Sequence, residues 1–173
     1  MPPEQSQRRI RTLAVDPTSR GFGFAVLEGK DLLIDWGVVQ VWSKNRKELV
    51  ARIDAYIDRY RPVFFVTERV GSAKARKRSR EITTLLAGHA AGRHLIVVTV
   101  SREAVRRLFH TSGTTKFEIA LAITKTFPEL ASRMPRKRKP WMSEDERMNL
   151  FDALAFALTA LWSPTQDLES DAA

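Results

Sequence analysis

Thr12-Leu13-Ala14-Val15-Asp16-Pro17-Thr18-Ser19-Arg20-Gly21-Phe22-Gly23 decides how the rest of the chain reads. Residues 12–16 form a short β-run that ends on an acid and stops at a Pro17 turn. Residues 22–28 follow as a second strand. Glu28-Gly29-Lys30-Asp31 then carries hairpin turn chemistry into a third strand over 32–42. Three consecutive antiparallel strands fit this opening.

Beyond it the period changes. Leu49, Ile53, Tyr56, Ile57 and Tyr60 recur at helical spacing, and Pro62 closes the segment. Val63-Phe64-Phe65-Val66-Thr67-Glu68 is a near-continuous apolar run, the mark of a strand covered on both faces. Residues 81–93 read as a second helix, 95–100 as a fifth strand, and 101–109 and 115–127 as further helices. Residues 143–162 read as a long final helix, with Ser143 and Glu146 spaced as a capping box. The order predicts an α/β fold: one mixed five-stranded sheet, three antiparallel strands then parallel ones, with helices on both faces.

The chain has 173 residues, the length of one domain, and it is basic: 29 Lys and Arg against 20 Asp and Glu, a net charge of +9. Such a domain is expected to meet a polyanion, nucleic acid first. With no cysteine, disulfides, thiolate metal sites and a cysteine nucleophile are excluded. No apolar run reaches membrane-spanning length, and Met1-Pro2-Pro3-Glu4 lacks the layout of a signal peptide. The expectation is a cytoplasmic domain over 11–162 that makes no membrane contact, with a disordered tail over 1–10 and a flexible acidic tail over 163–173 carrying Asp167, Glu169 and Asp171.

Three acids call for explanation. Asp16 ends the first strand, Glu68 ends the fourth, and Asp152 interrupts the apolar run Leu150-Phe151-Asp152-Ala153-Leu154. Singly, each has an ordinary use: Asp16 in an Asx turn before proline, Glu68 pairing with Arg69, Asp152 in a salt bridge at the helix surface. Together, two strand ends and a helix would bring three carboxylates into an all-oxygen cage, which suits Mg²⁺ or Mn²⁺ and not zinc. Ionised carboxylates beside buried surface need such a partner.

Four blocks resemble the RuvC Holliday-junction resolvases. Asp16-Pro17-Thr18-Ser19-Arg20-Gly21-Phe22-Gly23 is similar to the family's opening motif, and Glu68-Arg69-Val70 to the Glu-Gln-Val that ends its fourth strand. Ser112-Gly113-Thr114-Thr115-Lys116 resembles its Gly-x-x-Lys segment, and Asp152-Ala153-Leu154-Ala155-Phe156-Ala157 its C-terminal helix. The resemblance spans 11–162. It implies a ribonuclease-H-like fold, a homodimer, and hydrolysis of phosphodiesters in branched DNA, a four-way junction above all. It also implies catalysis by two Mg²⁺ or Mn²⁺ ions roughly 4 Å apart. Asp16, Glu68 and Asp152 become metal ligands, and Lys116 a charge near the scissile phosphate. The family's fourth ligand falls at Asn149, a neutral amide on the face of Asp152. Asp145, seven residues ahead of Asp152, is an alternative fourth acid, or else compensates the helix dipole. Where family members carry an aromatic residue after Glu-x-Val, this chain has Gly71.

Two basic runs flank these acids: Arg69, Lys74, Arg76, Lys77, Arg78 and Arg80 after Glu68, and Arg133, Arg136, Lys137, Arg138 and Lys139 before the final helix. Both read as loops. Their charge suits sequence-independent contact with phosphates, as against simple solvation. Arg20, Arg106, Arg107 and Lys116 join them as candidate nucleic-acid contacts. Trp36, Trp42 and Trp162 read as core or interface, and Trp141 as a candidate for base stacking. His89, His94 and His110 lack metal-ligand spacing, and His89 is a candidate dimer contact. Two other functions share this pattern: a ribonuclease-H-like enzyme that processes RNA, and a branched-nucleic-acid-binding protein without catalysis. An actin-like phosphotransferase needs two duplicated domains, for which the chain is too short.

Overall fold

The structure, a computed structural model, describes residues 10–41, 45–71, 77–110 and 115–163. The two expected tails fall almost wholly outside the described residues.

β1 (Arg11–Thr18), β2 (Gly21–Glu28) and β3 (Leu32–Gln40) form an antiparallel meander, and β4 (Phe64–Glu68) and β5 (Ile96–Val100) add in parallel to the β1 edge. The sheet order is β3-β2-β1-β4-β5, which is the mixed five-stranded sheet expected from the sequence. Gly29 makes the β2–β3 turn in a left-handed conformation, φ 66°, where a Cβ is disfavoured. β1 runs on through Pro17 instead of stopping there. Pro17 pairs only with Phe22 of β2, because β4 leaves β1 at Val15, so the missing N–H breaks no ladder.

The helices cover both faces. α1 (Arg46–Tyr60) and α2 (Lys77–Gly92) pack Leu49, Ile53, Ile57, Ile82 and Leu86 onto Leu13, Val15 and Phe65. α3 (Arg102–Leu108), α4 (Lys116–Thr126), a 3-10 turn (Pro128–Arg133) and α5 (Met148–Trp162) cover the other face, around Ala14, Ala25 and Val66. α5 is apolar nearly all round because it is enclosed by the sheet, α3 and α4; Leu150, Phe151, Leu154 and Phe156 are fully buried. Each such side chain contributes about 1.5–3 kcal/mol of transfer free energy.

Two helix starts differ from expectation. α2 begins at Lys77, so the first basic run enters a helix; Lys and Arg are good helix formers. α5 begins at Met148 without a side-chain cap, and the Ser143–Glu146 capping box does not form. Glu146 accepts a hydrogen bond from the Gln40 amide instead.

α5 sits where it does because of Gly23. A Cβ there would stand 2.2 Å from the carbonyl of Asn149. Gly23→Ala must therefore push α5 off the sheet, and the expected result in urea denaturation is a loss of about 1–3 kcal/mol or more. Gly88→Ala, in α2 with open space at its Cβ, is the control and should gain about 0.5–1 kcal/mol. An unchanged midpoint for Gly23→Ala would contradict this packing.

Candidate active site

Strand parity puts the first two acids on one face. Leu13 and Val15 of β1 face α1 and α2 while Ala14 faces α5, so Asp16 also points toward α5. In β4, Phe65 faces α1 and α2 and Val66 faces α5, which sends Glu68 to the same side. Val15 pairs with Thr67, so Asp16 and Glu68 leave neighbouring parallel strands side by side. Asp152, on α5, closes the group from above. Asp16 and Asp152 are each only 5% exposed.

What these acids converge on is Arg102, the first residue of α3, two positions beyond the end of β5. Its guanidinium grips Glu68 with two hydrogen bonds, Nε to Oε1 at 2.9 Å and Nη2 to Oε2 at 3.2 Å. Nη1 donates to Asp152 Oδ1 at 2.9 Å, and Nη2 lies 3.8 Å from Asp16 Oδ1. The Phe156 ring lies beneath, its centroid 4.7 Å from the guanidinium carbon. Lys116 supplies a second cation: its Nζ is 2.7 Å from Asp152 Oδ2 and 2.7 Å from Glu144 Oε1. Thr115 caps α4 and forms a capping box with Glu118, which fixes the helix start from which Lys116 projects.

The electrostatics follow from burial. Desolvation, reinforced by the negative charge of Asp152, holds the Asp16 carboxyl well above its ordinary value of 3.8, against the pull of Arg102 and Lys116. Burial opposes the charges on Arg102 and Lys116, but the surrounding carboxylates, Asp152 foremost, outweigh it and raise both.

The other expected ligands divide. Asn149 lies one turn before Asp152 on the same face of α5, half-buried. Asp145 lies ahead of α5 and is held by Arg147, with Oδ2 2.6 Å from Nη2, and Oδ1 3.0 Å from Nε and 2.9 Å from the backbone N–H that opens the helix. Arg102 and Glu144 were not singled out by sequence reasoning. The signal for Arg102 was topological: β5 pairs Val100 with Glu68, so the residues after β5 must pass the acidic cluster.

The donor set, carboxylates alone, has the chemistry of a hard divalent cation. Its spacing is that of a guanidinium. Among the described residues, no three ligand-bearing side chains stand together as a metal cage.

The basic candidates lie mostly at the surface. Arg20 is exposed in the β1–β2 turn, Lys77, Arg78 and Arg80 on the first turns of α2, and Arg106 and Arg107 on α3. Arg69 is half-buried just after Glu68, and its N–H donates to the Val100 carbonyl at 2.9 Å. Arg136, Lys137, Arg138 and Lys139 are exposed on the irregular segment before α5, as expected, where Lys139 stands over the 78% exposed Trp141 ring. Lys74, Arg76, Trp42 and Ser112-Gly113-Thr114 lie outside the described residues. His89 is engaged within the chain, 2.7 Å from Asp54 of α1. His94 and His110 are exposed.

The similarity of known structures bears on this geometry. RuvC from Thermus thermophilus superposes with a TM-score of 0.62 at 21% identity, over 92% of this chain and 98% of that one. The fold is that of RuvC. The T. thermophilus RuvC in complex with Holliday junction substrate matches equally, TM-score 0.62 at 20% identity, over 92% of this chain and 98% of that one. Fowlpox virus resolvase, solved with its substrate Holliday junction DNA, matches with a TM-score of 0.56 at 12% identity, over 88% of this chain and 99% of that one. No protein-family model matches the sequence, and no curated protein matches it in sequence. This is the fold, a mixed sheet of ribonuclease-H-like topology, that the resemblance of the four sequence blocks implied.

Asp16 supplies a prediction with a definite sign. A carboxyl raised in the folded state binds protons more tightly there than when unfolded, so its contribution is present at low pH and lost as pH rises above 3.8 and through the raised value. Asp16→Asn does not titrate. In chelator-containing buffer it should gain in melting temperature over the wild type as pH is raised from 4 toward 8. Melting curves that stay parallel across that range would contradict the burial of a charged Asp16.

Proposed function

We propose that the protein is a divalent-metal-dependent endonuclease that cleaves branched DNA, with the four-way Holliday junction as its substrate. The observation that carries this reading is the convergence of Asp16, Glu68 and Asp152 from β1, β4 and α5 within the RuvC fold. Two of the structural neighbours were solved with Holliday junction DNA.

Asp16, Glu68 and Asp152 would hold Mg²⁺ or Mn²⁺, two ions in this reading, with the Asn149 amide as the fourth donor. Ions bound there would supply an activated water and stabilise the leaving 3′ oxygen. The chain's own part is to fix the donors on two adjacent strand ends and one buried helix, where the register leaves them little freedom. Lys116, tied to Asp152, would offer its ammonium to a phosphate. Arg20, Arg69, Lys77, Arg78, Arg80, Arg106, Arg107 and the segment Arg136, Lys137, Arg138, Lys139 would neutralise the junction backbone, with Lys74 and Arg76 completing the first run. A homodimer would present two such centres for paired nicks. Gly71 stands where an aromatic wedge would be, so junction opening would rely on other groups.

A second reading, a branched-DNA-binding protein without catalysis, draws on one observation, the guanidinium seated among the carboxylates. Cleavage of a labelled four-way junction in Mg²⁺ or Mn²⁺ separates the two. Paired nicks are expected from the wild type and their loss, by about 10²–10⁴-fold, from Asp16→Asn and Asp152→Asn with junction binding retained. Tight binding with no nicking in either metal would establish the second reading. Cleavage confined to structured RNA would move the substrate class and keep the centre.

A further inference from the structure

We propose that Arg102 is a resident countercharge that holds the three carboxylates together in the metal-free protein, and that a divalent cation must displace its guanidinium to bind. This rests on the reading of Asp16, Glu68 and Asp152 as metal ligands and adds to it the residue that occupies their oxygens in the metal's absence.

The guanidinium contacts all three acids, and it does so through the oxygens that a cation would need: both of Glu68, Oδ1 of Asp152 and the near oxygen of Asp16. Mg²⁺ takes oxygen ligands at about 2.0–2.1 Å. No guanidinium can lie between donors drawn in that closely, so the two occupants exclude each other. Without Arg102 the cluster would hold three carboxylates against Lys116 alone among the described residues, and Lys116 is shared with Glu144. Two of those carboxylates are nearly inaccessible to water, so their repulsion would be poorly screened.

The seat of Arg102 is built to let it leave. Asp16 and Asp152 are anchored in a central strand and a buried helix, with side chains 8% and 7% exposed, whereas the Arg102 side chain is 28% exposed at the rim. Its backbone is fixed independently: Ser101 caps α3 by accepting from the Ala104 N–H, and Ala104 and Val105 are buried. The side chain can therefore rotate outward without unfolding the helix. The long stem and planar fork that grip Glu68 also cover Phe156, a contact given up on departure.

The test needs a readout apart from cleavage. In the wild type, arginine side-chain ¹⁵N NMR should show a slowly exchanging Nε–H, told apart from the hydrogen-bonded Nε–H groups of Arg11, Arg138 and Arg147 by its absence from Arg102→Lys, and Mg²⁺ titration should shift it and expose it to exchange while the others stay in place. By calorimetry, Arg102→Gln should bind Mn²⁺ about tenfold tighter than the wild type, with Arg102→Lys between them. Arg102→Gln should also melt lower in chelator and recover with Mg²⁺. Equal Mn²⁺ affinity in all three, abolished by Asp152→Asn, would overturn the displacement and leave the metal site standing. No Mn²⁺ binding by any of them would overturn both. Should Arg102→Gln fail to fold with or without metal, the wild-type NMR titration decides: an Nε–H unmoved by saturating Mg²⁺ overturns the proposal.

Discussion

The balance of charge between Asp16, Glu68, Asp152 and the cations Arg102 and Lys116 is the constraint on which the rest of this structure depends. Two of the acids are almost fully buried, and an isolated charge in such a place is prohibitive. The attraction between partners offsets desolvation only where geometry is good, and here the guanidinium fork meets Glu68 with both arms. The cluster is thus a conditional element: tolerable with a cation in it, costly without one. A cation site that needs filling is what a metal centre requires, and the fold meets that need with its own arginine.

The backbone around the cluster explains why the acids meet at all. β1 and β4 are parallel neighbours at the middle of the sheet, so their carboxyl ends lie together, and strand parity turns Asp16 and Glu68 to the same face. α5 crosses above them, brought into direct contact with β2 at Gly23, which pairs with Asp16. The same close approach that packs the helix thus lowers Asp152 onto the strand ends. On the opposite face, α1 and α2 are joined through Asp54, which accepts from His89 and Arg93. That network stands apart from the carboxylates and explains why His89 is occupied within the chain.

Much of this was legible in the residues. Turn chemistry at Gly29, the period change after residue 45 and the run ending in Glu68 were enough to order the five strands and put both acids at strand ends. An aspartate inside the most apolar helix was a signal in itself. The parts that escaped were those decided by contacts across the fold. Arg102 is one cation among 29, with no periodic signature, and only the pairing of Val100 with Glu68 reveals that it must pass the acids. Ser143 and Glu146 match a capping box locally, yet Glu146 is taken by Gln40 and Asp145 by Arg147, so α5 begins later. The basic run after Glu68 reads as a loop, and its later part instead forms the first turns of α2.

The central claim is that Asp16, Glu68 and Asp152 form one cation site. The most direct measurement is anomalous diffraction at the manganese edge from crystals grown with and without Mn²⁺. The account predicts anomalous peaks bounded by these three carboxylates, with the Arg102 side chain turned out of the cluster. Crystals in saturating Mn²⁺ with no peak there, and with Arg102 still bonded to Glu68 and Asp152, would contradict it.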